Sequence, residues 1–217
     1  MEFYTDSQRE VQAKFDCRPL ADRLTETIIV DAIEDFHREF IESRDFFFLS
    51  TVNGRGEPTV SYKGGAVGLV TVLDPQTVVF PNYDGNGMFL SMGNIAETAK
   101  IGLLFIDFET PNRIRIQATA RLVDDDPEMQ RYPGALQLVR ASVDSVYLNC
   151  ARLIHQHTRV ETSPYVPDAA GATPYPAWKR IDIVQDVLRP GDQGRADDEG
   201  GVITTAQYGE KLAAGQS

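Results

Sequence analysis

Three short stretches carry residue types able to hold an anionic or ring-bearing ligand. In the first, Arg113, Arg115, Gln117, Thr119 and Arg121 recur at every second position, while Ile114, Ile116, Ala118, Ala120 and Leu122 fill the alternate ones. A strand with that pattern puts three guanidinium groups on one face. Guanidinium forks bind phosphate and hold hydrogen bonds to a ring edge. Taken alone, the pattern is met more simply by a strand whose polar face meets solvent. In the second stretch Ser61 and Lys63 point one way and Val60 and Tyr62 the other, and Lys63 is followed by Gly64-Gly65. Two glycines let a ligand come close to the backbone, although a surface lysine before a loop gives the same letters. The third stretch is the loop Tyr83-Asp84-Gly85-Asn86-Gly87 ahead of a short helical pattern. A helix start offers free amides and the positive end of the helix dipole to an anion. The loop matches neither a dinucleotide nor a nucleotide-phosphate pattern, and Asp84 opposes an anion.

Other chemistry finds little support. No nucleophile elbow, paired-histidine zinc helix or calcium loop is present. His155 and His157 are half of a zinc site at most, and no nearby cysteine completes it. Cys17 and Cys150 are the only cysteines, and neither sits at a metal-ligand spacing. Cys150 reads as a buried thiol, and Trp178 as a packing residue or an interface anchor.

The elements that would position these stretches are short. Asp16 to Thr27 reads as a helical lead-in. Ile29, Ile33, Phe36 and Phe40 form an apolar stripe at helical spacing. Strand-like runs follow at 45–52, 58–63, 68–73, 77–80, 100–108 and 113–123, separated by Asn, Gly, Asp and Pro turns. The run 100–108 is nearly all apolar, as in a strand buried on both faces. Phe89, Met92 and Ile95 suggest a helix between the fourth and fifth strands, with Asn86 as its N-cap. Leu136, Val139 and Val143 suggest a further helical stripe. Residues 161–176 read as a loop and 178–187 as a strand. The spacing predicts a barrel or sandwich in one domain over 1–190, with N-terminal helices, a helical insertion near 127–158, and an acidic, mobile tail over 191–217.

The composition is that of an ordinary folded protein: 217 residues, 42% hydrophobic and 24% charged. The net charge of −11 and the lack of a basic stripe exclude a generic nucleic-acid binder. No apolar run approaches the roughly 20 residues of a membrane-spanning helix, and no secretory leader is visible at the start. A cytoplasmic location is expected.

Read together, the stretches resemble the pyridoxamine 5′-phosphate oxidase-like superfamily of flavin mononucleotide (FMN)-binding split β-barrels. Phe46 to Val52 with Gly54 to Ser61 is similar to the family's opening hairpin. Ser61 to Gly65 and Phe80 to Phe89 resemble the signature of an uncharacterised branch, and Gly102 to Phe108 followed by Arg113 to Ile116 completes the likeness. The resemblance implies a mainly β fold with flanking helices: a six-stranded split barrel with Greek-key connections. It further implies a homodimer with FMN in each of two clefts between subunits, and a small-molecule substrate or electron donor. By position it implies that Ser61, Tyr62 and Lys63 contact the cofactor from the second strand. Pro81 and Asn82 would lie beside the ring, Asn86, Gly87 and Met88 near the phosphate, and Arg113 and Arg115 near the ring or phosphate.

Two departures bear on activity. Gly87 and Met88 stand where authentic pyridoxine-phosphate oxidases carry an Arg-Lys pair. No histidine follows Trp178 to complete their closing Arg-x-His motif. The resemblance therefore implies a flavin-dependent oxidoreductase of unknown substrate. The alternatives on the same fold are a deazaflavin-dependent reductase and a non-catalytic flavin- or haem-binding module.

Overall fold

The structure is a computed structural model and describes residues 3–215. Seven antiparallel strands form one sheet: β1 (Phe46–Val52), β2 (Pro58–Gly64), β3 (Thr71–Asp74), β4 (Thr77–Tyr83), β5 (Lys100–Asp107), β6 (Asn112–Val123) and β7 (Ala135–Leu148). Their order is β2-β1-β5-β6-β7-β4-β3. Three helices precede them, α1 (Asp6–Lys14), α2 (Arg18–Thr27) and α3 (Asp35–Glu42), and α4 (Leu90–Thr98) joins β4 to β5. This is the split-barrel class that the family resemblance implies, with one strand more than the six expected.

Local chemistry explains the hairpin ends. Between β1 and β2, Asn53 Oδ1 accepts hydrogen bonds from the backbone N–H groups of Arg55 and Glu57, each at 3.0 Å. That Asx turn closes the loop and sets the register Val52 to Pro58 through Phe46 to Gly64. Along β1 and β5 the alternate residues Phe47, Leu49, Leu103 and Phe105 are buried. On β6 the period of two separates Ile114, Ile116, Ala118 and Ala120, all buried, from Arg115, Gln117 and Arg121, all exposed. β4 does not pair with β5. It crosses to β7, and α4 spans the gap, packing on β1, β2 and β6. Met92 and Ile95 of α4 complete the core. Asn94 Nδ2 donates to Thr51 Oγ1 at 2.9 Å and Thr98 Oγ1 donates to the Val52 carbonyl at 2.7 Å, which fixes the helix on β1.

Four sequence expectations fail for identifiable reasons. Leu136, Val139 and Val143 lie not on a helix but on the 14-residue strand β7. The stronger period there is two: Val139, Ala141 and Val143 alternate with Arg140, Ser142 and Asp144. The insertion expected to be helical holds only one 3₁₀ turn, Pro127–Arg131. Second, the helix expected from Ile29 begins only at Asp35, because Val30 is bridged to Val146 as an isolated β pair. His37 and Ile41 are its buried residues, and Phe36 is exposed. Third, α4 is capped by Phe89 in the left-handed region and not by Asn86. Fourth, 178–187 forms two 3₁₀ turns, Ala177–Arg180 and Asp182–Val184, with Ile181 bridged to Ile203. The acidic C-terminal region contains α5 (Arg195–Asp198) and α6 (Thr205–Ala213), and Asp192, Ala196 and Ile203 are buried. Thr204 and Gln207 form a reciprocal capping box at the start of α6.

Candidate functional site

A cleft of about 290 Å³ opens between β2, the end of β4 and the start of α4. β2 supplies Ser61 and Lys63 from its inner face, while Val60 and Tyr62 stand exposed on the outer one. Ser61 Oγ and Ser91 Oγ are 2.9 Å apart, so strand and helix meet at the cleft floor. A bulge in the β4–β7 pairing falls between Asn82 and Tyr83. Bulges re-aim side chains and end pairing, and here the chain leaves the sheet for the loop 84–89. In that loop Asn86 Oδ1 accepts from the Met88 backbone N–H at 3.0 Å. Gly87 sits at φ +76°, which favours glycine, and a side chain added at Gly85 or Gly87 would meet nothing within 4 Å. The loop thus turns bare backbone toward open space.

Two groups in the cleft lack a partner among the described residues. Lys63 is half-buried, and burial pushes its ammonium below the usual lysine range. It has neither a hydrogen bond nor an ion pair among the described residues. Asn82 is 7% exposed, and its Nδ2 is buried without a hydrogen-bond partner. An unpaired buried donor costs about 1–3 kcal/mol. A ligand presenting an anion to Lys63 and an acceptor to Asn82 would recover both. Tyr83, raised by its own burial, forms another part of the wall.

Seven of the sequence-predicted residues line the cleft, Ser61, Tyr62, Lys63, Asn82, Asn86, Gly87 and Met88, although the Tyr62 ring itself stacks on Phe46 over the outer face. Pro81 does not line the cleft. It is buried in β4 opposite Leu138, because the alternation that aims Asn82 at the cleft aims Pro81 into the sheet. Arg113 and Arg115 are on β6, away from the cleft. Arg115 lines a separate hollow of about 400 Å³ beneath the N-terminal helices, with Tyr4 and Tyr147. Arg113 Nε is buried without a partner. Sequence reading missed Phe89, Leu90, Ser91 and Met92, which also line the cleft. Their signal was the apolar start of α4 directly after the glycine loop.

The charge of Asp84, which by itself opposes an anion, is met by cations from far along the chain. Lys179 Nζ lies 2.7 Å from Asp84 Oδ2 and 2.7 Å from Asp192 Oδ2. Arg189 donates to the same two carboxylates at 2.8 and 2.7 Å. Burial works against ionisation of Asp192, but the hydrogen bonds from Lys179 and Arg189 outweigh it and hold the carboxyl below the usual range.

A wider hollow of about 590 Å³ lies over the outer face of β1 and β2. Phe46 stacks on Tyr62 and on Phe108 there, with ring centres 5.5 and 5.9 Å apart. Both arginines of its lining are paired, Arg44 with Asp107 at 2.8 Å and Arg159 with Asp45 at 2.6 Å. His157 packs on Phe108, and Cys150, expected buried, is exposed. Among the described residues no group of three or more His, Cys, Asp or Glu is placed to hold a metal ion. None of the described helices is long and apolar enough to cross a membrane.

The sequence model of the pyridoxamine 5′-phosphate oxidase family matches residues 33–150 of the 217, from just ahead of α3 to the end of β7. The chain belongs to the pyridoxamine 5′-phosphate oxidase family. The cleft lies wholly within the family's matched region, and Lys179, Arg189 and Asp192 lie beyond it. Solved structures of similar fold include HupZ of Group A Streptococcus, 17% identical, covering 54% of this chain and 93% of that one with a TM-score of 0.45. The heme storage protein HutZ of Vibrio cholerae is 18% identical, covering 53% and 93% at a TM-score of 0.41. An FMN-binding protein of Syntrophomonas wolfei is 14% identical, covering 66% and 97% at a TM-score of 0.41. No curated protein matches the chain.

Proposed function

We propose that this family member is an FMN-binding flavoprotein, an oxidoreductase that holds its cofactor in the cleft between β2 and α4. The observation that carries the reading is the pair of uncommitted groups, Lys63 and Asn82 Nδ2, beside a bare glycine loop. The residues fit the cofactor. A phosphate takes the charge of Lys63 together with the loop amides and the first-turn amides of α4, which have no partners within the helix. This replaces the missing Arg-Lys pair at Gly87 and Met88. Asn82 donates to a ring carbonyl or ring nitrogen. When bound, flavin supplies the redox chemistry, and the protein's part is orientation and electrostatics. No protein nucleophile is needed.

The cleft is small for a whole cofactor, since ligand sites run from about 300 to 1,000 Å³. Met88, Phe89 and Leu90 stand exposed around it. An apolar rim on a half-sized site is what a homodimer interface requires, with a second copy closing over the ring. In that arrangement Arg113 and Arg115 would approach the cofactor from the partner subunit. The protein acts in the cytoplasm on a small molecule or electron donor.

Titration of FMN into cofactor-stripped protein, wild type and Lys63→Met, tests the site. Loss of one charge-assisted contact, about 1.5–3 kcal/mol, should weaken binding by roughly 10- to 100-fold. Equal affinity of the two proteins would move the phosphate elsewhere.

A further inference from the structure

A second hollow, of about 490 Å³, adjoins the cleft between the end of β4 and segment 165–208. The two spaces share Tyr83 and Gly85. The floor of the hollow is the network of Lys179, Arg189, Asp84 and Asp192, in which two cations meet two carboxylates. Lys179 and Asp192 are 4% and 2% exposed, so this floor is built in and not a loose surface pairing. Aromatic walls stand on it. The ring centres of Tyr175 and Trp178 lie 5.9 and 5.7 Å from Lys179 Nζ.

One lining cation, Arg195, is more loosely held than those of the floor. Arg195 lies over the Tyr175 ring, 4.6 Å from its centre, and its side chain is 48% exposed. It stands 3.8 Å from Asp192 Oδ1 and 3.2 Å from Glu199 Oε1, and Glu199 does not line the hollow. A half-exposed guanidinium held by one long contact to the floor and one at 3.2 Å outside the hollow can turn to a carboxylate that offers its fork two oxygens. Carboxylate is the acceptor its fork matches, and flat rings are what Tyr and Trp faces stack on.

We propose that this hollow binds a second ligand beside the cofactor: a flat aromatic molecule carrying one carboxylate. Its binding stands on the hollow alone, while its place as the molecule the flavin acts on rests on the flavin reading above. The ring lies among Tyr83, Tyr175 and Trp178, and the carboxylate faces Arg195. Cationic aromatics are disfavoured by the same arginine, and aliphatic acids lack the stacking.

Trp178 is the only tryptophan of the chain, so its fluorescence reports on the hollow directly. Full-length protein, with and without FMN, is titrated with benzoate, benzylamine and cyclohexanecarboxylate, and FMN affinity is measured in parallel. Benzoate should change the Trp178 signal saturably, with the other two binding at least about tenfold more weakly, a difference near 1.4 kcal/mol. Arg195→Gln should weaken benzoate by a similar factor. Thr173→Phe, which fills the hollow from its lining, should abolish the response. Both variants should keep wild-type FMN affinity, so failure here is distinguishable from failure of the flavin site. No saturable response to benzoate in either form, equal binding of benzylamine, or indifference to both substitutions overturns the proposal.

Discussion

Lys63 and Lys179 are both drawn out of bulk water, and they differ in what meets the ammonium. Lys179, 4% exposed, has a carboxylate oxygen at 2.7 Å from each of two aspartates. Lys63 has no partner among the described residues, and its ammonium is held below the usual range by burial. A buried cation with carboxylates on it is committed to the fold. A half-buried cation with none is a cost the fold bears, and a ligand can relieve it. The comparison assigns Lys179 to structure and Lys63 to binding, and opposite responses to substitution follow.

The largest effect is expected at the paired lysine. Lys179→Met leaves Asp84 and the buried Asp192 with Arg189 as their remaining close cation, and breaking a buried pair costs up to about 3–5 kcal/mol. Urea denaturation should show that loss, and Lys179→Met with Asp192→Leu should recover most of it. A loss below about 1 kcal/mol would mean that the network is solvated and the contrast with Lys63 is false.

Lys63→Met should do the reverse: weaken FMN by the factor given above while leaving stability unchanged or slightly raised. The sign follows from linkage. Folding depresses the Lys63 pKa, so the charged form is disfavoured in the fold, and removing it removes that penalty. Destabilisation by Lys63→Met would show that the lysine has a structural partner after all.

The same shift sharpens the comparison through pH. A phosphate needs Lys63 protonated, and the free protein releases that proton earlier than an ordinary lysine would. FMN affinity should therefore fall as pH rises toward the depressed Lys63 pKa. In Lys63→Arg the slope should vanish, because guanidinium does not titrate there. An identical slope in both proteins would assign the pH dependence to another group.

The smallest effect is expected at a pair outside both regions. Arg140 hydrogen-bonds Asp126 and holds its carboxyl at about 2, with the Glu128 amide assisting. A depressed carboxylate contributes stability that is present above the ordinary value and lost as pH falls through the folded one. Asp126→Asn should cost on the order of 1 kcal/mol at neutral pH, a difference that shrinks as pH falls toward about 2 and disappears only below it. Acid denaturation curves of the two proteins should converge across that window.

The strands were legible wherever turn chemistry and a period of two coincided, as at Asn53 to Glu57 between β1 and β2. β7 was not, because Leu136, Val139 and Val143 also satisfy a helical spacing. Covering on both faces then buries the adjacent Leu138 and Val139 together and blurs the alternation. In the site, Ser61 and Lys63 were readable from alternation, and Asn86 to Met88 from the glycine loop. The partnering of Asp84 by Lys179 was not, since 95 residues separate them and no local pattern marks the pair. Arg113 and Arg115 illustrate a further limit. A strand's period assigns a face but does not say which cleft that face meets.

The most direct test of the account is the absorption spectrum of the purified protein, with mass spectrometry of whatever denaturation releases. The account predicts a yellow protein that releases flavin mononucleotide. A colourless protein that also fails to bind added FMN would contradict it, and Lys63 and Asn82 would then need another ligand.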